Sequence, residues 1–228
     1  MNEQQAQALV KSLESRTYRL NSLYTITDKS GTVIPFRMNW AQAELEADMH
    51  NLELVLKARQ IGFTTFFCLF MLDACLHIPN TQAGVIAHTK DDATAFFRDK
   101  VKFAYENLHP TLKHRVAAVQ DKAGELSFSN GSRLKVGTSL RGGTLQYLLV
   151  TEFGKICAKY PEKAREIITG ALNTVQAGQF IAIESTAEGQ TGKFYELCQT
   201  SQRKARLGEP LSELDFKFRF FPWWREPA

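Results

Sequence analysis

Cysteine is scarce in this chain and unpatterned. The four residues Cys68, Cys75, Cys157 and Cys198 show no C-x-x-C spacing, so they read as reduced thiols of a cytosolic protein and not as a disulfide framework. The five histidines form no metal-ligand pattern. The stretch from Met1 to Arg19 is polar, which leaves no signal peptide to read. The most apolar run, Phe66 to Leu76, is too short to cross a bilayer and contains Asp73. Internal repeats and low-complexity segments are missing, and after Asp121 the chain holds a single aspartate, Asp215.

What is present fits one α/β domain with a small appendage: 228 residues, 44% of them apolar, enough for a sizeable core. Residues 1–35 read as an N-terminal arm, and 36–228 as the domain. A net charge of +4 and a pI near 8.8 make the chain mildly basic, which is compatible with nucleic acid.

The stretch that organises the rest is Lys57-Ala58-Arg59-Gln60-Ile61-Gly62-Phe63-Thr64-Thr65. An apolar strand, Leu52 to Leu56, precedes it, and an apolar helix through Leu76 follows. Strand, short glycine-containing loop and helix make the geometry of a phosphate-binding loop, where helix N–H groups and the helix dipole favour an anion. Against the pattern G-x-x-x-x-G-K-[ST], Lys57 stands for the first glycine and Phe63 for the lysine. Lys57 or Arg59 can still reach β- and γ-phosphates, and Thr64 at the first helical turn is placed to hold Mg²⁺. The competing reading is an ordinary basic strand-to-helix turn.

Upstream, Asn39 can cap a helix over Trp40–His50, with Gln42 at the third helical position as in a capping box. The alternative is that Trp40 and Gln42 recognise an adenine edge. Downstream, the pattern predicts a strand at 82–88, an amphipathic helix at 91–107, and a hairpin about Asn130-Gly131 at the sheet edge. A flexible loop from Gly137 to Thr144 carries Arg141. The strand Gln146 to Glu152 ends in a carboxylate, on the side of a parallel sheet where ligands bind. A helix at 161–174, a strand at 179–184 ending in Ser185-Thr186-Ala187, a helix at 191–207 closed by Gly208, and a strand at 215–221 complete the order. Alternating strands and helices argue a mainly parallel central sheet flanked by helices.

From about Phe36 to Trp224 this order resembles the ATPase domain of the large terminase subunit of tailed bacteriophages. The resemblance is carried by Lys57–Thr65, by Thr151-Glu152-Phe153-Gly154-Lys155 and by Glu184-Ser185-Thr186-Ala187-Glu188-Gly189. Terminases often carry a phosphate loop with its lysine displaced to the beginning, as here.

The resemblance implies a P-loop NTPase fold of the RecA/ASCE kind, with ATP and Mg²⁺ as cofactors. Lys57 and Arg59 would hold the phosphates, with Ala58, Gln60, Ile61, Gly62, Phe63 and Thr65 forming the loop. Thr64 would bind Mg²⁺, assisted through water by Thr151, which stands where the family usually has aspartate. Glu152 would be the general base, Ser185 and Thr186 the coupling motif, and Gln42 with Trp40 the adenine contact. Arg141 would act as an arginine finger toward a neighbouring subunit. The implied partners are double-stranded DNA, the small terminase subunit, the portal protein and further copies in a ring, with a monomer when alone and no membrane. The implied location is the host cytoplasm.

Full-length large terminases also carry a nuclease domain. Two-metal nucleases need clustered carboxylates, and the scarcity of aspartate argues against nuclease activity in these residues. Two other readings stay open: a helicase-like translocase fragment, and a prophage remnant that binds nucleotide without turnover.

Overall fold

A computed structural model describes residues 3–140 and 143–225. Its strands are β1 (Thr25–Thr27), β2 (Val33–Pro35), β3 (Leu52–Lys57), β4 (Gln82–Ile86), β5 (Ala118–Lys122), β6 (Glu125–Phe128), β7 (Arg133–Gly137), β8 (Leu145–Thr151), β9 (Val175–Ser185) and β10 (Lys217–Phe221). Its α-helices are α1 (Glu3–Glu14), α2 (Arg16–Leu23), α3 (Trp40–Ala47), α4 (Phe63–His77), α5 (Lys90–Phe96), α6 (Phe103–Glu106), α7 (Pro110–Arg115), α8 (Phe153–Lys159), α9 (Pro161–Glu166) and α10 (Gly192–Leu207).

Among the described residues, eight strands form one sheet in the order β10-β3-β9-β8-β4-β7-β6-β5. Every neighbouring pair from β10 to β7 is parallel, and the β7–β6 and β6–β5 pairs are antiparallel. This is the mainly parallel α/β sheet that the alternating pattern predicts, with the β6–β7 hairpin toward one edge.

Side-chain alternation along the strands divides the core in two. Val55, Val85, Leu149 and Ala182 face the cluster built with α4 and the α5–α6 region. Leu54, Ile86, Leu148, Val150, Ile181 and Ile183 face the cluster built with α8, α9 and α10. Both faces are covered, which is why these strands read as continuous apolar runs. The helix α4 is buried along nearly its whole length, consistent with its position under the first cluster.

The structure departs from the sequence pattern in several places. The helix expected at 91–107 runs through α5 and α6, but Phe97–Lys102 between them is a π-helical turn. The segment after α9 likewise passes through a π turn, Ile167–Ala171, and a 3₁₀ turn, Leu172–Thr174. The exposed strand β5 carries no apolar alternation by which to find it.

Part of the segment 1–35 enters the main core: Leu20 and Tyr24 belong to the α4 cluster. Ser15 starts α2 by accepting the Tyr18 N–H at 3.3 Å. Arg19 then grips the buried Asp73 of α4, with Nε and Nη2 donating at 2.7 to 3.1 Å, and the Tyr24 hydroxyl donates to the same carboxylate at 2.9 Å.

Candidate functional site

The β3–α4 loop is held from α3. Asn39 and Gln42 form the capping box at the start of that helix. The same two side chains reach further: Asn39 Nδ2 donates to the Ile61 carbonyl at 2.8 Å, and Gln42 Nε2 to the Gly62 carbonyl at 2.9 Å. The capping role of Gln42 is thus present, and its amide also braces the loop. Gly62 has φ +83°, and a Cβ there would lie 2.8 Å from Gln42 Nε2. A side chain at this position would meet both backbone strain and a packed neighbour. Gly62 stands at the N-terminus of α4 with no side-chain cap. Gln60 also adopts a positive φ, 63°.

Phe63 is fully buried and packs against Phe221, with ring centroids 4.8 Å apart, and against Phe67. Its side chain belongs to the core, so any contact with a ligand in the loop is through its backbone. Ile61 is buried as well.

Three parallel strands deliver the remaining groups. β8 ends at Thr151, and Glu152 follows with φ 53° as it turns into α8. A non-glycine residue held in this left-handed region is strained and uncommon. Gly154 lets α8 start tight against β9: its N–H donates to Ser185 Oγ at 2.9 Å, and a Cβ there would sit 2.8 Å from that oxygen. On β9, Glu184 lies in register opposite Thr151 on one side and Val55 on the other.

Glu184 is wholly buried and is the hub of the site. Its Oε1 accepts from the Thr64 hydroxyl at 2.7 Å and from the Thr151 hydroxyl at 2.5 Å. Its Oε2 lies 3.0 Å from Lys57 Nζ. Lys57 is also 3.4 Å from Glu152 Oε1, and Lys155 is 2.9 Å from Glu152 Oε2. The Thr186 hydroxyl donates to Glu152 Oε2 at 3.4 Å. Burial alone would lower the Lys57 pKa, but the Glu184 and Glu152 carboxylates outweigh it and hold the ammonium above the usual lysine value. Burial works to raise Glu152, and Lys155 and Lys57 overcome it, holding that carboxyl below its ordinary range.

The structure therefore brings Lys57, Thr64, Thr151, Glu152 and Thr186 into one cluster, with Ser185 fixing the start of α8. Arg59 is exposed at the tip of the loop and makes no hydrogen bond or ion pair among the described residues. The Thr65 hydroxyl accepts from Lys100 Nζ at 2.8 Å. Trp40 lies edge-on to Phe221 and beneath the Arg225 guanidinium, 4.6 Å from the ring centroid. Arg141 lies outside the described residues.

Two members were not singled out from sequence. Lys100 comes from the π turn, a distortion frequent at functional sites. Glu184 did leave a signal: a carboxylate directly after the apolar run Phe180-Ile181-Ala182-Ile183 must have partners when buried.

No family model matches the sequence, and no curated protein matches it. Among solved structures, the large terminase ATPase domain of Thermus phage P74-26 is similar at a TM-score of 0.54 and 17% identity, covering 82% of this chain and 81% of that one. A mutant form of the same domain aligns at a TM-score of 0.53, with 18% identity and the same coverage. At this identity the likeness establishes the fold alone, a large, mostly parallel α/β sheet flanked by helices that is shared with a terminase ATPase domain.

Proposed function

We propose that the chain binds ATP at the β3–α4 loop and hydrolyses it, as the motor domain that drives double-stranded DNA into a phage procapsid. The observation that carries this reading is the convergence of Lys57, Thr64, Thr151 and Glu152 around Glu184, beside the carboxyl ends of the parallel strands β3, β9 and β8, where α/β sheets bind ligands. The fold shared with a packaging ATPase domain supports it.

The residues present suit Mg²⁺. Thr64 and Thr151 offer hydroxyl oxygens and Glu152 and Glu184 carboxylate oxygens, the hard donors that this ion prefers. No group of three or more His, Cys, Asp or Glu among the described residues is arranged to hold a metal by itself. The ion would rest mainly on phosphate oxygens and water, with Thr64 as its hydroxyl ligand and Thr151 acting through water. When bound, it would neutralise charge on the β- and γ-phosphates.

The chain's own groups divide the work. The backbone from Ala58 to Thr65 shapes the cradle at the α4 N-terminus. Arg59, exposed and unpaired among the described residues, is the cation available for first contact with the triphosphate. Lys57 shifts from its carboxylates toward the phosphates, which leaves Glu152 Oε1 free to align the attacking water. Ser185 and Thr186 link that carboxylate and α8 to β9, as a coupling motif would. Trp40 and Gln42 flank the loop on the adenine side. Arg141 serves a neighbouring subunit of a ring in the host cytoplasm, with the small terminase subunit and portal as partners.

The test is ATP hydrolysis measured alone and then with double-stranded DNA, portal and small subunit. Turnover that rises with these additions supports the motor. Tight nucleotide binding without turnover under any assembling condition would leave a binding remnant in its place.

A further inference from the structure

We infer that Glu184 supplies the carboxylate that supports the nucleotide-bound divalent cation, from the strand beside the one on which that charge is normally carried. This rests on the ATP-binding reading above. The terminase resemblance implies an aspartate where Thr151 stands, and the structure puts Glu184 in direct register with Thr151 across β8 and β9. The charge missing from one strand is present on the next, at the same level of the sheet.

The contacts fit the assignment. Thr64 and Thr151 both donate to the same Oε1, at 2.7 and 2.5 Å. A hydroxyl that donates to a carboxylate keeps its lone pairs for a ligand, so Glu184 orients both hydroxyls as acceptors toward a cation. The other oxygen, Oε2, is buried, and among the described residues its charge is balanced by the Lys57 ammonium at 3.0 Å.

A simpler role would be that of a counter-charge to Lys57. Lys57, however, has a second carboxylate in Glu152 at 3.4 Å, and its place in the phosphate loop draws it toward a bound triphosphate. Once Lys57 moves, Glu184 is left with no cation among the contacts described for it, and a fully buried carboxylate cannot remain uncompensated at small cost. Glu184 then takes the divalent cation of the bound nucleotide as its counter-charge. The two hydroxyls on Oε1 remain to hold its orientation.

The experiment measures binding and not turnover. Mn²⁺ affinity of the parent chain saturated with a non-hydrolysable ATP analogue is read from the free-Mn²⁺ electron-spin signal. Affinity for the analogue is measured in parallel with Mg²⁺ and with EDTA. In Glu184→Gln, Mn²⁺ binding should weaken by about 10- to 100-fold, the usual loss when a residue that orients metal ligands is changed. Affinity for the analogue should fall with Mg²⁺ and change little in EDTA.

The double variant Thr151→Asp with Glu184→Gln returns the charge to β8 and should recover most of the Mn²⁺ affinity. If Glu184→Gln fails to fold, Glu184→Asp keeps the charge beside Lys57 but shortens its reach to the hydroxyls, and should show the same selective loss of Mn²⁺. Equal weakening with Mg²⁺ and in EDTA, or unchanged Mn²⁺ affinity, would reduce Glu184 to a structural counter-charge and overturn the assignment alone. A folded parent that binds no analogue at all would overturn the ATP reading and the assignment with it.

Discussion

Lys57 Nζ lies 3.4 Å from Glu152 Oε1, although the two residues are 95 positions apart in the chain. In the function proposed above, Lys57 is a phosphate cation and Glu152 the base that aligns water, and in the structure the two hold each other. Glu152→Gln should remove the base while leaving the loop intact. Turnover should drop about 100-fold or more, with affinity for a fluorescent ATP analogue nearly kept. Parent-like hydrolysis in this variant would take Glu152 out of the role.

The two loop cations should fail differently. Arg59 is exposed and unpaired among the described residues, so Arg59→Ala should weaken nucleotide binding and leave the urea midpoint unchanged. The Lys57 side chain is 6% exposed and faces a fully buried Glu184. Lys57→Met should strand that carboxylate, and breaking such a pair costs about 3–5 kcal/mol. A Lys57→Met protein as stable as the parent would show that Glu184 has another counter-charge.

Restoring the usual lysine at the head of α4 should harm the protein. Phe63 is packed on Phe221 inside the core. Phe63→Lys loses aromatic packing worth about 3–5 kcal/mol in Phe-to-small substitutions and also buries an ammonium. A large fall in melting temperature with no gain in ATP affinity is expected. Tighter binding at unchanged stability would mean that the side chain can turn into the loop.

The Asp73 cluster sets an acid limit on stability. Burial works to raise the Asp73 pKa, but His77 and Arg19 outweigh it and hold it below the ordinary 3.8. With the folded value depressed, the contribution is complete above 3.8 and is lost as pH falls through the folded value. Arg19→Met should therefore be destabilised at neutral pH, and its deficit relative to the parent should shrink only below that point. Denaturation curves across pH 2 to 7 would show this, and a deficit that is flat throughout would dissociate Arg19 from the titration.

Arg141 is best tested by mixing. Arg141→Ala and Glu152→Gln subunits should each be inactive, yet a ring assembled from both contains some intact Glu152 sites facing an intact Arg141. Partial activity should return, since such a finger is worth roughly 10³–10⁵ in rate. Mixed rings that form but stay inactive would confine Arg141 to its own subunit or to its loop.

Much of the fold could be read before the structure because both faces of the sheet are covered. Buried strands such as Leu52–Lys57 and Leu145–Thr151 then stand out as apolar runs, and Glu152 is visible as the carboxylate that ends one of them. The hub was harder to see. Glu184 and Thr151 are 33 residues apart and meet only through parallel register, which no local pattern encodes. The inward turn of Phe63 depends on Phe221, near the far end of the chain. The docking of Arg19 on Asp73 across 54 positions is equally invisible to composition, which shows the N-terminal segment only as polar.

β5 is the outermost strand on its side of the sheet among the described residues, and all five of its residues are exposed. A bare edge of this kind is a template on which another chain can add a strand. Here the pairing with β6 is irregular between Ala118 and Gln120, and Gln120, Asp121 and Lys122 occupy the rest of the strand, with Asp121 tied to Lys102. Charge and irregularity make the edge a poor seed for fibres. A chain seeking to add a strand there would meet these side chains and the irregular register before any regular ladder could form.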